Sequence, residues 1–318
     1  MASASQQPQV DENTHDNPPQ TRGRGTNNAL NTRNTMQHQN GDRAKMCIAS
    51  LNIKGRRSGK IDKWMNVPQM MRERNIGILA VQETHLTDEL ADQFETLFGN
   101  WLSLIFSPDP NTRNVRGIAI ILNKKAVRTE DSKTTVIIPG RAISVTIPWY
   151  NNQYINVLAI YAPNVLSETR EFWKKIHSMV RSNPNLKPDV TLGDFNLVED
   201  TIDRLPCKMD DHGAVEALRE FKIAHNLIDG WRTAHPDEKG YTWSRESDGT
   251  QSRIDRIYIR GEFFNNCKRW DITPAPIPTD HNIVSAILST PSSPVIGKGR
   301  WVVPTRLTRN KEIKRELQ

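Results

Sequence analysis

The chain has 318 residues, 36% of them hydrophobic, with 43 Lys and Arg against 36 Asp and Glu for a formal net charge of +7. That length suits one large domain or two small ones, and no run approaches the roughly 18–20 apolar residues of a membrane helix. Cys47, Cys207 and Cys267 are widely spaced with no Cys-x-x-Cys pair, which argues against a structural zinc site and points to a reducing compartment.

Residues 1–45 are rich in Gln, Asn, Thr, Gly and Pro and nearly lack apolar side chains, so the sequence predicts a disordered segment. No charged start followed by an apolar run marks a secretory signal there, and a soluble, intracellular protein is expected. Residues 292–318 hold seven basic and two acidic side chains, whereas 46–290 hold 31 and 30. The folded part is therefore nearly neutral, and most of the excess charge sits in a basic tail that could hold a nucleic-acid backbone or simply be a solvated terminus. A single folded domain is expected over 46–290.

Met46 to Leu51 reads as an apolar strand that delivers Asn52 to a turn at Lys54-Gly55. A helix is predicted from Lys60 to about Arg74, with Pro68 against its middle. Ile76 to Val81 is a second buried strand with Glu83 at its exit, and Thr87-Asp88-Glu89 carries the cap signature of a short helix. From Trp101 to Ile160, short apolar runs broken by Pro, Asn, Gly and Lys read as an antiparallel meander. Ser167 opens a helix with Phe172, Trp173, Ile176, Met179 and Val180 on one face.

Residues 188–196, Pro-Asp-Val-Thr-Leu-Gly-Asp-Phe-Asn, carry the strongest local signal. Val190–Leu192 reads as a buried strand closed by a tight turn at Gly193. Period two places Asp194 and Asn196 together and turns Phe195 into the core. A carboxylate can take a proton from water, and an amide can donate to a phosphate oxygen without adding charge. The same two side chains could equally close an Asx turn on their own backbone. An acidic irregular loop to Asp211 follows, then a helix carrying Val215, Leu218, Phe221 and Ile223. Further strands are predicted at Tyr241–Trp243, Arg253–Ile259, near Trp270 and at Ile283–Leu288. Two apolar strand sets with helices between them imply a layered α/β sandwich.

Other strand ends carry polar residues in the same way: Asn52, Glu83, Tyr161, and Asp280-His281 before the last strand. Singly, each has a structural reading as a turn residue, solvated end, satisfied core aromatic or cap. Asp255 differs, because it shares a face with Ile257 and Ile259 and a carboxylate there needs a buried partner. His281 is the natural candidate.

In order, Leu-Asn-Ile (51–53), Val-Gln-Glu-Thr (81–84), Tyr-Ala-Pro-Asn (161–164), Gly-Asp-Phe-Asn (193–196), Tyr-Thr-Trp (241–243), Arg-Ile-Asp-Arg-Ile (253–257) and Thr-Asp-His (279–281) closely resemble the endonuclease/exonuclease/phosphatase superfamily, the deoxyribonuclease-I-like fold. Glu-Thr-His-Leu (83–86), the 198–206 segment and Gly-Lys-Gly-Arg-Trp-Val-Val-Pro (297–304) resemble the endonuclease region of fungal non-LTR (LINE-type) retrotransposons and the linker toward a polymerase, so the chain reads as a fragment of such an element or as a decayed or separately used copy. The resemblance implies a four-layer α/β sandwich of two mainly antiparallel sheets flanked by helices. It implies metal-assisted hydrolysis of a DNA phosphodiester, with the nucleus as the expected location; the sequence leaves the oligomeric state open, with a monomer favoured.

By the same resemblance, Glu83 is the main ligand of Mg²⁺ or Mn²⁺, with Asp280 and Asn52 beside the ion. Asp194 activates water, and Asn52, Asn196 and Tyr161 fix the phosphate. Asp255 orients His281, which donates to a phosphate oxygen. Thr242, Thr279 and Asn164 are substrate contacts. Lys54 stands where this family commonly has Asn or Asp, and it could contact DNA phosphate or repel the ion. The loop 198–211 and the hairpin Gly240–Arg253 are expected to shape target choice. Alternatives on the same fold are an abasic-site repair nuclease, an inositol-polyphosphate phosphatase or a sphingomyelinase. A nucleic-acid-binding module that has lost its chemistry is the non-enzymatic alternative.

Overall fold

A computed structural model describes residues 44–290 apart from 60, 113, 114, 150 and 151. The polar N-terminal segment up to residue 43, the basic tail and its 297–304 motif lie outside the described residues.

Twelve strands form two six-stranded sheets. Their ranges are β1 Lys45–Asn52, β2 Ile76–Gln82, β3 Leu102–Ser107, β4 Ile118–Asn123, β5 Lys133–Ile138, β6 Ala142–Pro148, β7 Tyr154–Tyr161, β8 Val190–Asp194, β9 Leu227–Asp229, β10 Asp255–Arg260, β11 Cys267–Pro274 and β12 Asn282–Ser289. The first sheet runs β11-β12-β1-β2-β4-β3 and the second β9-β10-β8-β7-β6-β5. Each has one parallel pair near its middle, β1/β2 and β7/β8, and antiparallel neighbours elsewhere. Parallel neighbours need a crossover. Here the crossovers are helix α1 (Val67–Glu73) and helix α3 (Leu166–Ser182).

Strand parity explains the layers. Ile48, Ile78 and Ile120 of the first sheet meet Val145, Val157, Leu192 and Ile257 of the second in one buried cluster. The alternate residues Leu51, Leu79 and Val81 face outward onto Trp64, Met70, Met71 and Phe94, the last from α2 (Asp88–Phe98). Leu158, Ile160 and Tyr258 face the other way, onto Trp173 and Phe221, the latter from α4 (His212–Ala224). Three apolar interfaces separate four layers, and the architecture is the expected α/β sandwich.

Several local expectations are corrected. The meander divides after Asn123: β3 and β4 complete the first sheet, while β5, β6 and β7 form one side of the second. The helix placed at 60–74 is a 3₁₀ turn at Lys63–Met65 followed by α1. Pro68 sits in the first turn of α1, where its missing N–H costs nothing. Ile223 is exposed; the buried face of α4 is Ala214, Ala217, Leu218 and Phe221. Gly193 lies within β8 rather than in a turn. At φ 150°, a Cβ there would come 1.9 Å from Ile160 O, so only glycine lets β8 approach β7 so closely. β9, too short to carry a sequence signal, completes the second sheet's edge.

Candidate active site

The carboxyl ends of both parallel pairs open on the same side of the sandwich. Asn52 ends β1, and Glu83 follows β2 in a left-handed conformation at φ 52°. Tyr161 ends β7 and Asp194 ends β8, cross-strand neighbours in register. Asp255, the first residue of β10, is the register partner of Asp194 on the other side. Three strands thus set a phenol and two carboxylates in a row.

The two sheets meet through one amide. Asn52 Nδ2 donates to Glu83 Oε1 at 3.0 Å and to Asp194 Oδ2 at 2.9 Å. Its Oδ1 accepts the Lys54 N–H at 2.9 Å. One acceptor position of the amide oxygen, which the sequence reading placed beside the ion, is thus taken by the Lys54 N–H. Asn52 is fully buried, and its geometry makes it the bridge between carboxylates of different sheets.

Asp194 is buried, and its other oxygen, Oδ1, accepts the Asn196 N–H at 2.9 Å. The Asx turn is therefore real, and it coexists with the contact to Asn52. Asn196, at φ 46°, sends its amide to Ala162 O at 2.8 Å. Burial, then the Asp255 charge, push the Asp194 carboxyl up to about 7 against the pull of His281 and Asn52. Asp255 Oδ2 lies 2.8 Å from His281 Nδ1, the partnership that the apolar face of β10 required. Burial alone would lower the His281 pKa, but Asp255, then Asp194 and Asp280, raise it to about 9 and keep the ring cationic at neutral pH. Burial and the charges of Glu83 and Asp194 hold the Tyr161 hydroxyl far above its ordinary value, so it remains a donor.

Asp194, Asp255 and His281 present ligand-type atoms within 4.8 Å of one another. They make a poor ion cage, since His281 Nδ1 is committed to Asp255 and both Asp194 oxygens are bonded. Among the described residues, Glu83 and Asp280 offer hard-oxygen donors on the wall of the cleft, and Asp280 Oδ1 is buried with no hydrogen-bond partner; Asp255 Oδ1 is likewise buried and unpartnered, but Asp255 does not line the cleft. Oxygen donors of this kind suit Mg²⁺ or Mn²⁺. Asp280 Oδ2 is occupied, by Lys54 Nζ at 2.7 Å and Trp243 Nε1 at 3.2 Å.

Glu83, Asp194, Asn196, Trp243, Asp280 and His281 line a cleft of about 630 Å³, whereas Asn52, Tyr161 and Asp255 are not among its lining residues. Lys54, Asn164, Arg204, Lys208 and Arg245 add cationic and polar walls around Glu83, Asp194, Asp280 and His281. The loop 198–211 and the 241–253 hairpin form one wall together, because Arg204–Leu205 pairs with Gln251–Ser252, which pairs with Trp243–Ser244. Thr242 is corrected: it is fully buried and its hydroxyl accepts the N–H groups of Ile254 at 3.0 Å and Asp255 at 2.9 Å, so it shapes β10 and cannot touch substrate. Thr279 likewise works on the backbone, donating to Asn52 O at 2.9 Å and accepting His281 N–H at 3.3 Å. Asn164 is exposed on the cleft wall.

Three contributors escaped the sequence reading. Trp243 lay within a quoted motif, but nothing in its spacing showed that its indole reaches Asp280. Arg141 stacks 4.6 Å over the Tyr161 ring and donates to Ala162 O at 3.2 Å. Below the cleft, a buried ion network ties the acidic loop to β10. Asp203 accepts Arg253 Nε at 2.8 Å and Nη2 at 2.6 Å, and also bonds Arg232. Arg253 reaches Asp229 at 2.7 Å, while Arg256 lies 3.5 Å from Asp203 and donates to Leu197 O at 2.8 Å. The alternation Arg253-x-x-Arg256 is visible in sequence, but its acidic partners are distant and unannounced.

Residues 49–281 match the Endonuclease/Exonuclease/phosphatase family. The chain is 30% identical over 253 residues to a Xenopus laevis protein described as the transposon TX1 uncharacterized 149 kDa protein, covering 78% of this chain and 18% of that one. It therefore spans under a fifth of that relative. Among solved structures, an AP endonuclease from Archaeoglobus fulgidus superposes with a TM-score of 0.62 at 19% identity, covering 77% of this chain and all of the other. The endonuclease domain of TRAS1, a telomere-specific non-LTR retrotransposon, gives 0.55 at 15% identity, covering 77% and 98%. Those two likenesses concern the fold. With the family match extending from β1 to His281, the chain belongs to the endonuclease/exonuclease/phosphatase family.

Proposed function

We propose that the protein is a divalent-metal-dependent endonuclease that nicks DNA, with Mg²⁺ or Mn²⁺ as its cofactor. The observation that carries this reading is the Asn52 amide, which fastens a carboxylate suited to a cation, Glu83, to a carboxylate suited to a proton, Asp194. Because the Xenopus laevis relative is a transposon protein, we take DNA as the substrate class.

Glu83 and Asp280 Oδ1 would hold the ion, and a bound divalent cation supplies charge neutralisation on the scissile phosphate. The remaining work falls to the chain. Asp194, with a proton affinity near neutrality, takes the proton from water as the water oxygen bonds to phosphorus and the ester P–O bond breaks. Asn52 and the Asn196 backbone hold that carboxylate in place. Cationic His281, braced by Asp255, donates to a non-bridging oxygen where negative charge grows. Tyr161 offers a second donor, this one neutral. The Lys208 and Arg245 walls suit a backbone of phosphates.

The test is conversion of supercoiled plasmid to nicked circle in Mg²⁺, with EDTA and with Glu83→Gln. Nicking should disappear in EDTA and fall by roughly 10²-fold or more in the variant. An unchanged rate in Glu83→Gln would place the activity elsewhere. Hydrolysis of a phosphoinositide with the plasmid left intact would reject DNA as substrate.

A further inference from the structure

We infer that Lys54 is a tethered cation that competes with the divalent ion for Asp280, so that the protein holds its metal chiefly through Glu83 and more weakly than its carboxylates alone would allow. This rests on the metal reading above and adds to it a residue that tunes the site.

Lys54 is firmly placed. Its backbone, at φ 51°, is pinned on both sides: its N–H goes to Asn52 Oδ1 at 2.9 Å, and its carbonyl accepts buried Lys63 Nζ at 3.1 Å. The same Lys63 ammonium takes Ile53 O at 2.6 Å, and the next residue, Gly55, donates to Glu83 O at 3.0 Å. Gly55, at φ 77°, packs against the His85 ring, which a Cβ there would meet at 2.8 Å. The lysine is thus fastened to the residues that carry Asn52 and Glu83.

Asp280 is fixed as firmly. Its carbonyl accepts Ser244 N–H at 3.3 Å, its neighbour His281 bridges to Trp243, and Thr242 O accepts Asn282 N–H at 2.6 Å. Its Oδ2 is filled by Trp243 Nε1 and Lys54 Nζ, which leaves Oδ1, unbonded but 3.9 Å from His281 Nε2, for an ion. A unit charge already sits where bidentate coordination would need space. It also repels any cation drawn to Oδ1, and like charges a few ångströms apart interact strongly in a half-dry cleft. An exposed lysine–aspartate pair contributes little to folding stability. Its consequence is therefore local and electrostatic.

The experiment is calorimetric titration of the full-length chain with Mn²⁺ alone, without DNA. Lys54→Ala and Lys54→Gln should each bind Mn²⁺ roughly tenfold more tightly than the native chain. In an Asp280→Asn background the same substitutions should gain clearly less, because only the repulsion remains to be relieved. Equal affinity in the native chain and both Lys54 variants, with binding lost in Glu83→Gln, would overturn the role of Lys54 and leave the metal reading intact. A gain of the same size in both Asp280 backgrounds would overturn the competition. Failure of the native chain to bind Mn²⁺ would overturn the metal reading and this inference with it.

Discussion

In the first sheet the parallel pair β1/β2 ends in Asn52 and Glu83; in the second the pair β7/β8 ends in Tyr161 and Asp194. The strand order is matched, yet the two ends sit in different surroundings. Glu83 is half-buried on the cleft wall, backed by an apolar layer that includes Trp64, Met70 and Phe94. Asp194 is buried, bonded on both oxygens and beside a second carboxylate, over a floor stiffened by Asp203, Asp229, Arg253 and Arg256. The contrast teaches where a fold needs ionic scaffolding. An apolar layer suffices behind a strand end that exposes its carboxylate. A strand such as β10, which carries Asp255 on its apolar face, needs its flank fixed by charge as well.

The sharpest way to separate the two ends is to neutralise the buried one. Asp194→Asn keeps a hydrogen-bonding side chain but removes the proton acceptor, so plasmid nicking should fall by about 10²–10⁴-fold, while Mn²⁺ affinity, set at the Glu83 end, stays within a few-fold. A matching loss of Mn²⁺ binding would show that the two ends form one ligand set.

Breaking the scaffold comes next. Arg253→Ala leaves Asp203 and Asp229 buried without their main partner and should cost about 3–5 kcal/mol in urea unfolding. Leu51→Ala on the first sheet, an apolar loss into the outer cluster, should cost about 2–5 kcal/mol. Only the ionic deletion should also slow nicking, since Asp255 begins the strand that Arg253 precedes. If both variants destabilise alike and both nick at native rates per folded molecule, the network stabilises without positioning.

How far the sequence reaches follows the same division. The four layers were legible because buried strands read as unbroken apolar runs, and Ile76–Val81 or Tyr154–Ile160 have no other physical use. The pairing of Asp255 with His281 in the candidate site was legible because a carboxylate on an apolar strand face is expensive without a partner. Other pairings stayed hidden. The split of the meander between sheets depends on which edges meet after Asn123, and no local pattern records that. The Arg–Asp network joins residues up to 53 positions apart, and the reach of Trp243 to Asp280 needs the hairpin's register. Lys54 was visible as a departure, but its partner was not.

A smaller effect tests the ionic floor by pH. Burial alone would raise the Asp203 pKa, but Arg253, then Arg256 and Arg232, hold it down at about 2. Its folded value lies below the ordinary carboxylate value of about 3.9. The stabilisation is therefore complete above the unfolded pKa and is lost as pH falls through roughly 4 to 2, a contribution of about 2 kcal/mol. Urea midpoints measured across that range should decline less steeply in Asp203→Asn than in the native chain. Parallel declines would assign the acid sensitivity to other carboxylates.

The smallest expected effect concerns a helix that the sequence led astray. Successive helical residues turn by about 100°, so Ile223 lies some 200° beyond Phe221, on the opposite side from the Ala214, Ala217, Leu218 and Phe221 stripe. Treating its hydrophobicity as a core signal ignored that phase, and Ile223 is 69% exposed. Ile223→Lys should therefore change unfolding free energy by no more than about 0.5 kcal/mol, whereas Phe221→Ala on the same helix should cost about 3–5 kcal/mol. A large loss from Ile223→Lys would mean that this face of α4 is covered in solution.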